Sequence, residues 1–460
     1  MPLVVLAGTT AGTTAGTTAG TTAGTTWAAK QLPTPAGATA NGSGYAGPVA
    51  CPIVGRCVVL GQTETPKGRD EDFIATENGG AWTSKVAPLP AGGTQATNFG
   101  PNVLACASTG NCVGTSVYMT ATSVAADILV ESAGAWSATP MAVPSNAAVS
   151  GSTWPAIASI ACPSAGHCVI AGYYKTLSAS TEGLIVTQEG SRWVSAEAPT
   201  PGGATSNRGA SLAGVRCFSA TSCVAVGEYE TATGAEEALL VADRSGAFGD
   251  AAAPLPGNAA PSNPSALLSA VSCASSTTCV AFGDYKDAKG DQFGLIVTKS
   301  ASHWVAAEAP SPTGASTSSP GEAEFASACA AGFCVAVGQY RPAKGNLGGL
   351  VLVEEGGRWS ALSMPVLGGA PALPAVACSA GQVCSAAGSY GSGPKLEGYL
   401  LLIDGTSLSA ETSPLPPNHG TDPLVDLGSV ACPAAGACVA SGAYDESGSA
   451  TVQLPLVVSQ

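Results

Sequence analysis

The sequence predicts an all-β protein folded as an eight-bladed β-propeller of four-stranded blades, and three observations predict it. Two cysteines six positions apart recur through the chain, as in Cys162-Pro-Ser-Ala-Gly-His-Cys168. The first cysteines, Cys51, Cys106, Cys162, Cys217, Cys273, Cys329, Cys378 and Cys432, lie 55, 56, 55, 56, 56, 49 and 54 residues apart. A fixed period of this size marks a propeller, a solenoid or an array. Each second cysteine opens a short apolar run that leads to a tyrosine, as in Cys223-Val-Ala-Val-Gly-Glu-Tyr229. Finally, the N-terminus holds a piece of the repeat that the C-terminus lacks.

Composition agrees with many short strands. Of 460 residues, 45% are hydrophobic and only 10% charged, and Gly (59) and Pro (33) are abundant. This suits strands joined by turns, and no sustained helical periodicity competes with it. The longest apolar runs, such as Tyr399-Leu-Leu-Leu-Ile403, are far short of the roughly 20 residues a membrane-spanning helix needs. A net charge of −14 argues against nucleic acid and anionic membrane as partners. It is compatible with a cationic ligand or Ca²⁺, though no cofactor is predicted.

All 16 cysteines fall into eight pairs: Cys51/Cys57, Cys106/Cys112, Cys162/Cys168, Cys217/Cys223, Cys273/Cys279, Cys329/Cys334, Cys378/Cys384 and Cys432/Cys438. The spacing is too wide for zinc knuckles, and only three His are present, so disulfides are expected and no metal site. Disulfides imply an oxidising compartment, hence an extracellular or cell-envelope protein. Each bridge closes a loop of about seven residues and contributes roughly 2 kcal/mol on the chain-entropy estimate.

Residues 1–26 begin Met-Pro-Leu-Val-Val-Leu and continue as tandem Gly-Thr-Thr-Ala units, a low-complexity linker without a clear signal peptide. Residues 27–460 are expected to form one propeller. Trp27-Ala-Ala-Lys-Gln-Leu-Pro33 matches Trp193-Val-Ser-Ala-Glu-Ala-Pro199, the last segment of a repeat, while the final repeat stops at Ser459 before any such segment. Residues 27–33 are therefore expected to complete the last blade, since closing the ring removes an exposed sheet edge. Both Pro2-Leu-Val-Val-Leu6 and Pro455-Leu-Val-Val458 fit that blade's third strand.

Within a repeat four strands are read. Strand a ends at the first cysteine (Leu212–Cys217), and a five-residue turn leads to strand b, which opens at the second (Cys223–Tyr229). Strand c is an apolar run such as Gly294-Leu-Ile-Val-Thr-Lys299. Strand d opens with Trp82, Trp136, Trp193, Phe248, Trp304 or Trp359, with Leu408 in the seventh repeat and Trp27 in the last. Long Pro/Gly/Ala/Ser-rich connections run from strand d to the next repeat.

The repeat Cys-x5-Cys-Val-Ala-Val-Gly-x-Tyr…Gly-Leu-Ile-Val-Thr…Gly-x-Trp resembles the BNR-like propeller repeat, a group that includes sialidase-type Asp-box propellers. It looks most like secreted bacterial versions with paired cysteines. The resemblance covers residues 27–458 and implies the fold. The Asp-box itself is degenerate here, as in Glu77-Asn-Gly-Gly-Ala-Trp82, and no function follows from it.

No catalytic motif rises above the repeat, and no catalytic residue is assigned. Tyr174, Tyr229, Tyr285 and Tyr340 recur at one blade position, which reads as inter-blade packing or as an aromatic rim for stacking sugars. The residue before that tyrosine varies, with Glu228 and Asp284 in adjacent blades, where they could face a ligand or stand as a carboxylate pair. The b–c loops that follow carry charge, including Arg69 and Asp70, and should share a face with the d–a connections. Loops on a rigid ring often carry function. The expected function is non-catalytic binding of a protein or carbohydrate on that face by a monomeric protein. A glycoside hydrolase or polysaccharide lyase using carboxylates there, and a structural envelope protein, are the alternatives.

Overall fold

The computed structural model describes residues 26–460 apart from 40–41, 97–99, 150–153, 203–208, 244–247, 301–302, 331, 380, 393–394, 422 and 447–451. Among these residues there is no helix, and eight antiparallel sheets form the blades of a propeller. Strands a to d of blade 1 are Gly44–Ile53, Arg56–Glu64, Asp70–Asn78 and Ala81–Val86. Blade 4 comprises Ala210–Ser219, Ser222–Glu230, Glu236–Asp243 and Phe248–Ala252. Blade 5 comprises Leu267–Cys273, Cys279–Lys286, Gln292–Ser300 and His303–Glu308. Blades 3, 6 and 7 span 156–197, 323–363 and 371–412 in the same a-b-c-d order.

Blade 8 takes Asp426–Ala431, Val439–Asp445 and Gln453–Ser459 as strands a to c, and the N-terminal Ala28–Gln31 as strand d. Ala28 pairs with Ser459 and Gln31 with Leu456, so the first described strand seals the ring against the last. The segment Pro455–Val458 therefore fills the third strand, while Pro2–Leu6 lies outside the described residues.

The core is distributed rather than central. Among the described residues eight apolar clusters occur, one at each blade–blade contact, and each is joined by the half-buried large side chain that opens a strand d, such as Trp193 between blades 2 and 3 or Trp27 between blades 7 and 8. The alternation of a strand sends its side chains to opposite faces. Val224 and Val226 thus pack on blade 5 while Ala225 packs on blade 3.

All eight cysteine pairs are disulfides: Cys51–Cys57, Cys106–Cys112, Cys162–Cys168, Cys217–Cys223, Cys273–Cys279, Cys329–Cys334, Cys378–Cys384 and Cys432–Cys438. Their Cα atoms are 3.9 to 4.2 Å apart. The two members of a pair have different surroundings. The first cysteines face the central channel, whereas the second are buried between blades. Cys334 packs at the contact of blades 5 and 6, Cys384 at that of blades 6 and 7, and Cys438 at that of blades 7 and 8.

The strand limits around these bridges differ from the sequence reading. Instead of a five-residue turn, blade 1 pairs Ile53 with Arg56 and blade 3 pairs Ser164 with His167, leaving two-residue turns. Gly55 (φ 70°) and Gly166 (φ 77°) supply the left-handed conformation these turns require. Blade 5 keeps the longer turn. Nor does strand b always open at the second cysteine. It starts one residue earlier in blades 1 to 4, 6 and 7; at Cys334 and Cys384, Phe333 and Val383 already pair with strand c. In blade 8 it starts one residue later, at Val439, so that Cys432 and Cys438 both lie just outside the paired strands. There the disulfide continues the a–b link where the backbone ladder has ended.

The N-terminal strand is also latched by side chains. Tyr444 Oη donates to Asn418 Oδ1 (2.8 Å) and lies 3.3 Å from Gln31 Oε1, and Asn418 Nδ2 donates to Gln31 (3.1 Å). Deleting residues 1–32 should lower the melting temperature and expose Gln453–Ser459 as a sheet edge. Thermal unfolding and sedimentation of the truncated chain check this, with concentration-dependent self-association as the expected signature.

Candidate functional site

The b–c loops and d–a connections share one face of the ring, and blades 3 and 4 carry an acidic depression there. Its volume is about 200 Å³, and Thr181, Ser211, Glu228, Tyr229, Glu230 and Glu236 are among its lining residues. Glu228 lies two residues before the end of strand b of blade 4 and pairs with Ser211, whose hydroxyl donates to Glu228 Oε1 (3.3 Å). Burial pushes the Glu228 pKa up, the nearby Glu236 adds to the rise, and Ser211 opposes it. Asp284, at the same position in blade 5, accepts from Gln292 Nε2 (2.8 Å). Its pKa is pushed up to about 6, first by burial, with Glu228 adding, while Gln292 and Lys286 hold it down. The fold thus brings Glu228 and Asp284 into electrostatic contact across two blades.

The tyrosines at the following position turn inward. Tyr174, Tyr229, Tyr285 and Tyr340 are 2%, 4%, 0% and 7% exposed. Tyr174 Oη lies 2.9 Å from both Asn146 Oδ1 and Glu197 Oε2, which share its one proton, and Tyr285 Oη is placed likewise against Asn258 (2.9 Å) and Glu308 (3.0 Å). Tyr229 bonds Glu237 (2.6 Å) and Tyr340 lies 3.0 Å from the Ser363 hydroxyl. These side chains tie strand b to neighbouring strands and d–a connections. Arg69 is exposed on the blade 1 b–c turn, and Asp70 starts the strand that follows, three blades away from Glu228. The cysteines lie at the other end of the blades, where Cys334, Cys384, Cys438 and their counterparts staple the a–b turns and take no part in the depression.

A second polar cluster lies between blades 1 and 2. Asp72 (2% exposed) accepts from Gln62 Nε2 (3.1 Å) and from the Ser116 hydroxyl of blade 2. Ser116 pairs across its own blade with Asp127, which is 1% exposed. Neither carboxylate oxygen of Asp127 has a hydrogen-bond partner among the described residues. The backbone N–H groups of Ser116 and Asp127 face that carboxyl closely enough to restrain its pKa. Burial nevertheless pushes Asp127 up to about 7, with Asp72 adding to the rise. Asp72 itself rises to about 6, again mainly through burial. Tyr45, raised to about 12 by burial and by Asp72 and Asp70, stands between this cluster and the central channel.

The signal for this cluster is a break in the repeat. Across strands b and c, other blades pair a glycine with a large apolar residue: Gly61/Phe73, Gly172/Leu184, Gly227/Leu239, Gly283/Leu295, Gly338/Leu350, Gly388/Tyr399 and Gly442/Leu456. Blade 2 alone places Ser116 against Asp127. Its strand a is also split, with Thr94–Gln95 and Leu104–Ser108 pairing separately with strand b, Asn111–Met119.

No group of three or more His, Cys, Asp or Glu among the described residues is arranged to hold a metal ion. The buried acids make a pH-dependence instead. A carboxyl raised from 3.8 to about 7 on folding binds its proton in the folded chain when the unfolded chain has lost it. Stability should therefore fall as pH rises from about 4 to about 7, then level off. Replacing Ser116 and Asp127 by the Gly/Leu pair of the other blades should flatten that slope and gain on the order of 4 kcal/mol above pH 7. Urea unfolding between pH 4 and 8 measures both.

No family model matches the chain, and no curated protein matches it in sequence. Among solved structures it is similar to Trypanosoma rangeli sialidase at 13% identity and a TM-score of 0.39, over 83% of this chain and 56% of that one. It is similar to the β-propeller domain of the Trilobed protease from Pyrococcus furiosus at 9% identity and TM-score 0.43, over 80% and 97%. A puromycin-hydrolyzing peptidase of Mycobacterium tuberculosis gives 13% and 0.44, over 90% and 61%. The chain spans a little over half of the sialidase it matches. Likenesses this distant carry no argument about function.

Proposed function

We propose that the protein is a non-catalytic binding module of the cell exterior, and that the acidic depression of blades 3 and 4, together with Asp284 of blade 5, grips a protein ligand through lysine and arginine side chains. The observation that carries this reading is a chain of three carboxylates across two blades, in which Glu236 raises the pKa of Glu228 and Glu228 that of Asp284. A cationic side chain relieves that repulsion and gains charge-assisted hydrogen bonds. The buried tyrosines weigh against a sugar-stacking rim, which narrows the choice between protein and carbohydrate. Eight disulfides suit an oxidising exterior compartment. The resemblance to the BNR-like propellers is part of the same reading, as a statement of ancestry and not of activity.

A second reading draws on Asp284. With its pKa pushed up to about 6 beside Glu228, the pair offers an acid and a carboxylate near neutral pH, as glycoside hydrolysis requires.

The test is a Lys/Arg-rich peptide array run beside a glycan array, with and without Ca²⁺, and with sugar release assayed in the same samples. Peptide capture should weaken with added NaCl, strengthen as pH rises through about 6, where Asp284 ionises, and fall at least tenfold in the Glu228→Gln/Asp284→Asn variant. Sugar release abolished by the same substitutions would establish the hydrolase instead. Peptide capture that the substitutions leave intact would remove this face as the binding site.

A further inference from the structure

The strongest departure from the repeat outside these clusters is a single arginine in the central channel. The residue immediately before the first cysteine is Ala50, Ala105, Ala161, Ala328, Ala377 or Ala431 in six blades and Ser272 in blade 5. In blade 4 it is Arg216. These positions belong to the inner strands, and at the disulfide end of the channel they enclose a cavity of about 490 Å³. The first cysteine of every blade lines it, so eight disulfides ring the space.

Arg216 is the only ionisable side chain among the described residues lining that cavity. It faces the channel's interior and makes no ion pair or hydrogen bond to a described residue. Its side chain is exposed to the channel, the crowd of surrounding strands lowers its pKa through desolvation, and no neighbouring charge contributes to the shift. An arginine stays protonated in spite of such a shift, so the cavity holds a fixed positive charge without a protein counter-ion. A charge of one sign set among low-dielectric walls focuses its field on the open channel and concentrates anions from solution there. The alanines supply the room, because a longer side chain at those places would fill the same space. Phe218, two residues on and 49% exposed, adds an apolar wall at the mouth.

We infer that this end of the channel is a binding site for a small oxyanion, held by the Arg216 guanidinium inside the ring of disulfides. The planar guanidinium fork matches a carboxylate or phosphate with two parallel hydrogen bonds. The site lies on the opposite face from the acidic depression, so the protein presents two ligand surfaces of opposite charge preference. This inference stands independently of the proposed function.

Titration calorimetry of the full oxidised chain at low ionic strength tests it, with inorganic phosphate, sulfate, acetate and benzoate as separate probes. The expected result is saturable binding of at least one probe, with affinity reduced tenfold or more in Arg216→Ala and partly kept in Arg216→Lys. Tighter binding of benzoate than of acetate would assign a carboxylate with an apolar body, and tighter binding of phosphate or sulfate a tetrahedral anion. Arg216→Ala reproduces the residue of six other blades and so should fold. Thermal melting gives a second readout: the bound probe raises the wild-type melting temperature and leaves that of Arg216→Ala unchanged. Absence of binding by all four probes, or Arg216→Ala binding within twofold of wild type, overturns the inference. A Glu228→Gln variant should bind the anion like wild type, and a matching loss there would also overturn it.

Discussion

The packing of each blade depends on a close crossing between its two inner strands. Strand a carries a bulge, and the bulge sits against a glycine of strand b. The register shifts at Ile157/Ser159, Leu212/Gly214, Leu268/Ala270 and Leu427/Ser429 face Gly172, Gly227, Gly283 and Gly442. A Cβ on Gly227 would stand 1.8 Å from the Ser211 carbonyl oxygen, and one on Gly442 1.9 Å from that of Asp426. No side chain fits there. The bulge turns strand a inward toward the channel and lets the large apolar residue opposite the glycine fill the gap between blades. Ring curvature, channel lining and inter-blade core all follow from this contact.

Blade 2 shows what happens when the constraint is broken. Ser116 replaces the glycine, and strand a does not cross it in the usual way. Instead the chain pairs at Thr94–Gln95, leaves the sheet, and returns at Leu104. The apolar partner is lost as well, because Asp127 stands where the other blades have Leu, Phe or Tyr. Blade 1 answers with Asp72 at a place occupied elsewhere by Ala126, Gly183, Ala238, Gly294, Gly349, Gly398 and Pro455. The apolar cluster between blades 1 and 2 is correspondingly the smallest of the eight. Two buried carboxyls stand there, and the charge of Asp72 raises the pKa of Asp127 further. Such a costly local exchange of apolar packing for polar groups is the kind of departure that proteins keep at functional or strained sites.

The fold is legible in the sequence because repetition averages out local ambiguity. Any one segment such as Gly349-Leu-Val-Leu-Val353 reads equally as a buried strand or a piece of helix. Eight copies at one period, each between a cysteine hairpin and a strand-d aromatic, do not. Ring closure is legible from Trp27, because a strand-d segment with no strands a to c before it needs a partner elsewhere. The inward turn of the tyrosines is less accessible. It depends on Asn146, Asn258 and Asn418, which sit in d–a connections of differing sequence and meet the tyrosine hydroxyls only in three dimensions. The cysteine spacing overstates the turn because a disulfide between directly opposed residues leaves room for the ladder to continue beyond it, as the Cys217/Cys223 and Ser219/Ser222 pairs do. The spacing is equally silent on strand limits, since the same bridge sits inside the ladder at Cys334 and beyond its end at Cys438.

What the repeat predicts least is also where it is most informative. A position set by the scaffold, such as the strand-b glycine or the strand-d aromatic, holds one residue type because packing permits little else. A position the scaffold leaves free drifts, as the residue before the tyrosine does from Val117 to Glu228 to Ser389. Ser116, Asp127 and Arg216 fit neither description. Each occupies a place where the other blades hold to small or apolar residues; Ser116 and Asp127 put polar atoms into the core and Arg216 puts a charge into the channel, for which packing alone gives no reason. The residues that mark function in this chain are therefore better sought at single departures from a well-kept rule than at the variable loops around the ring. By that criterion the blade 1–2 interface and the channel outrank the charged loops of blades 1 and 5.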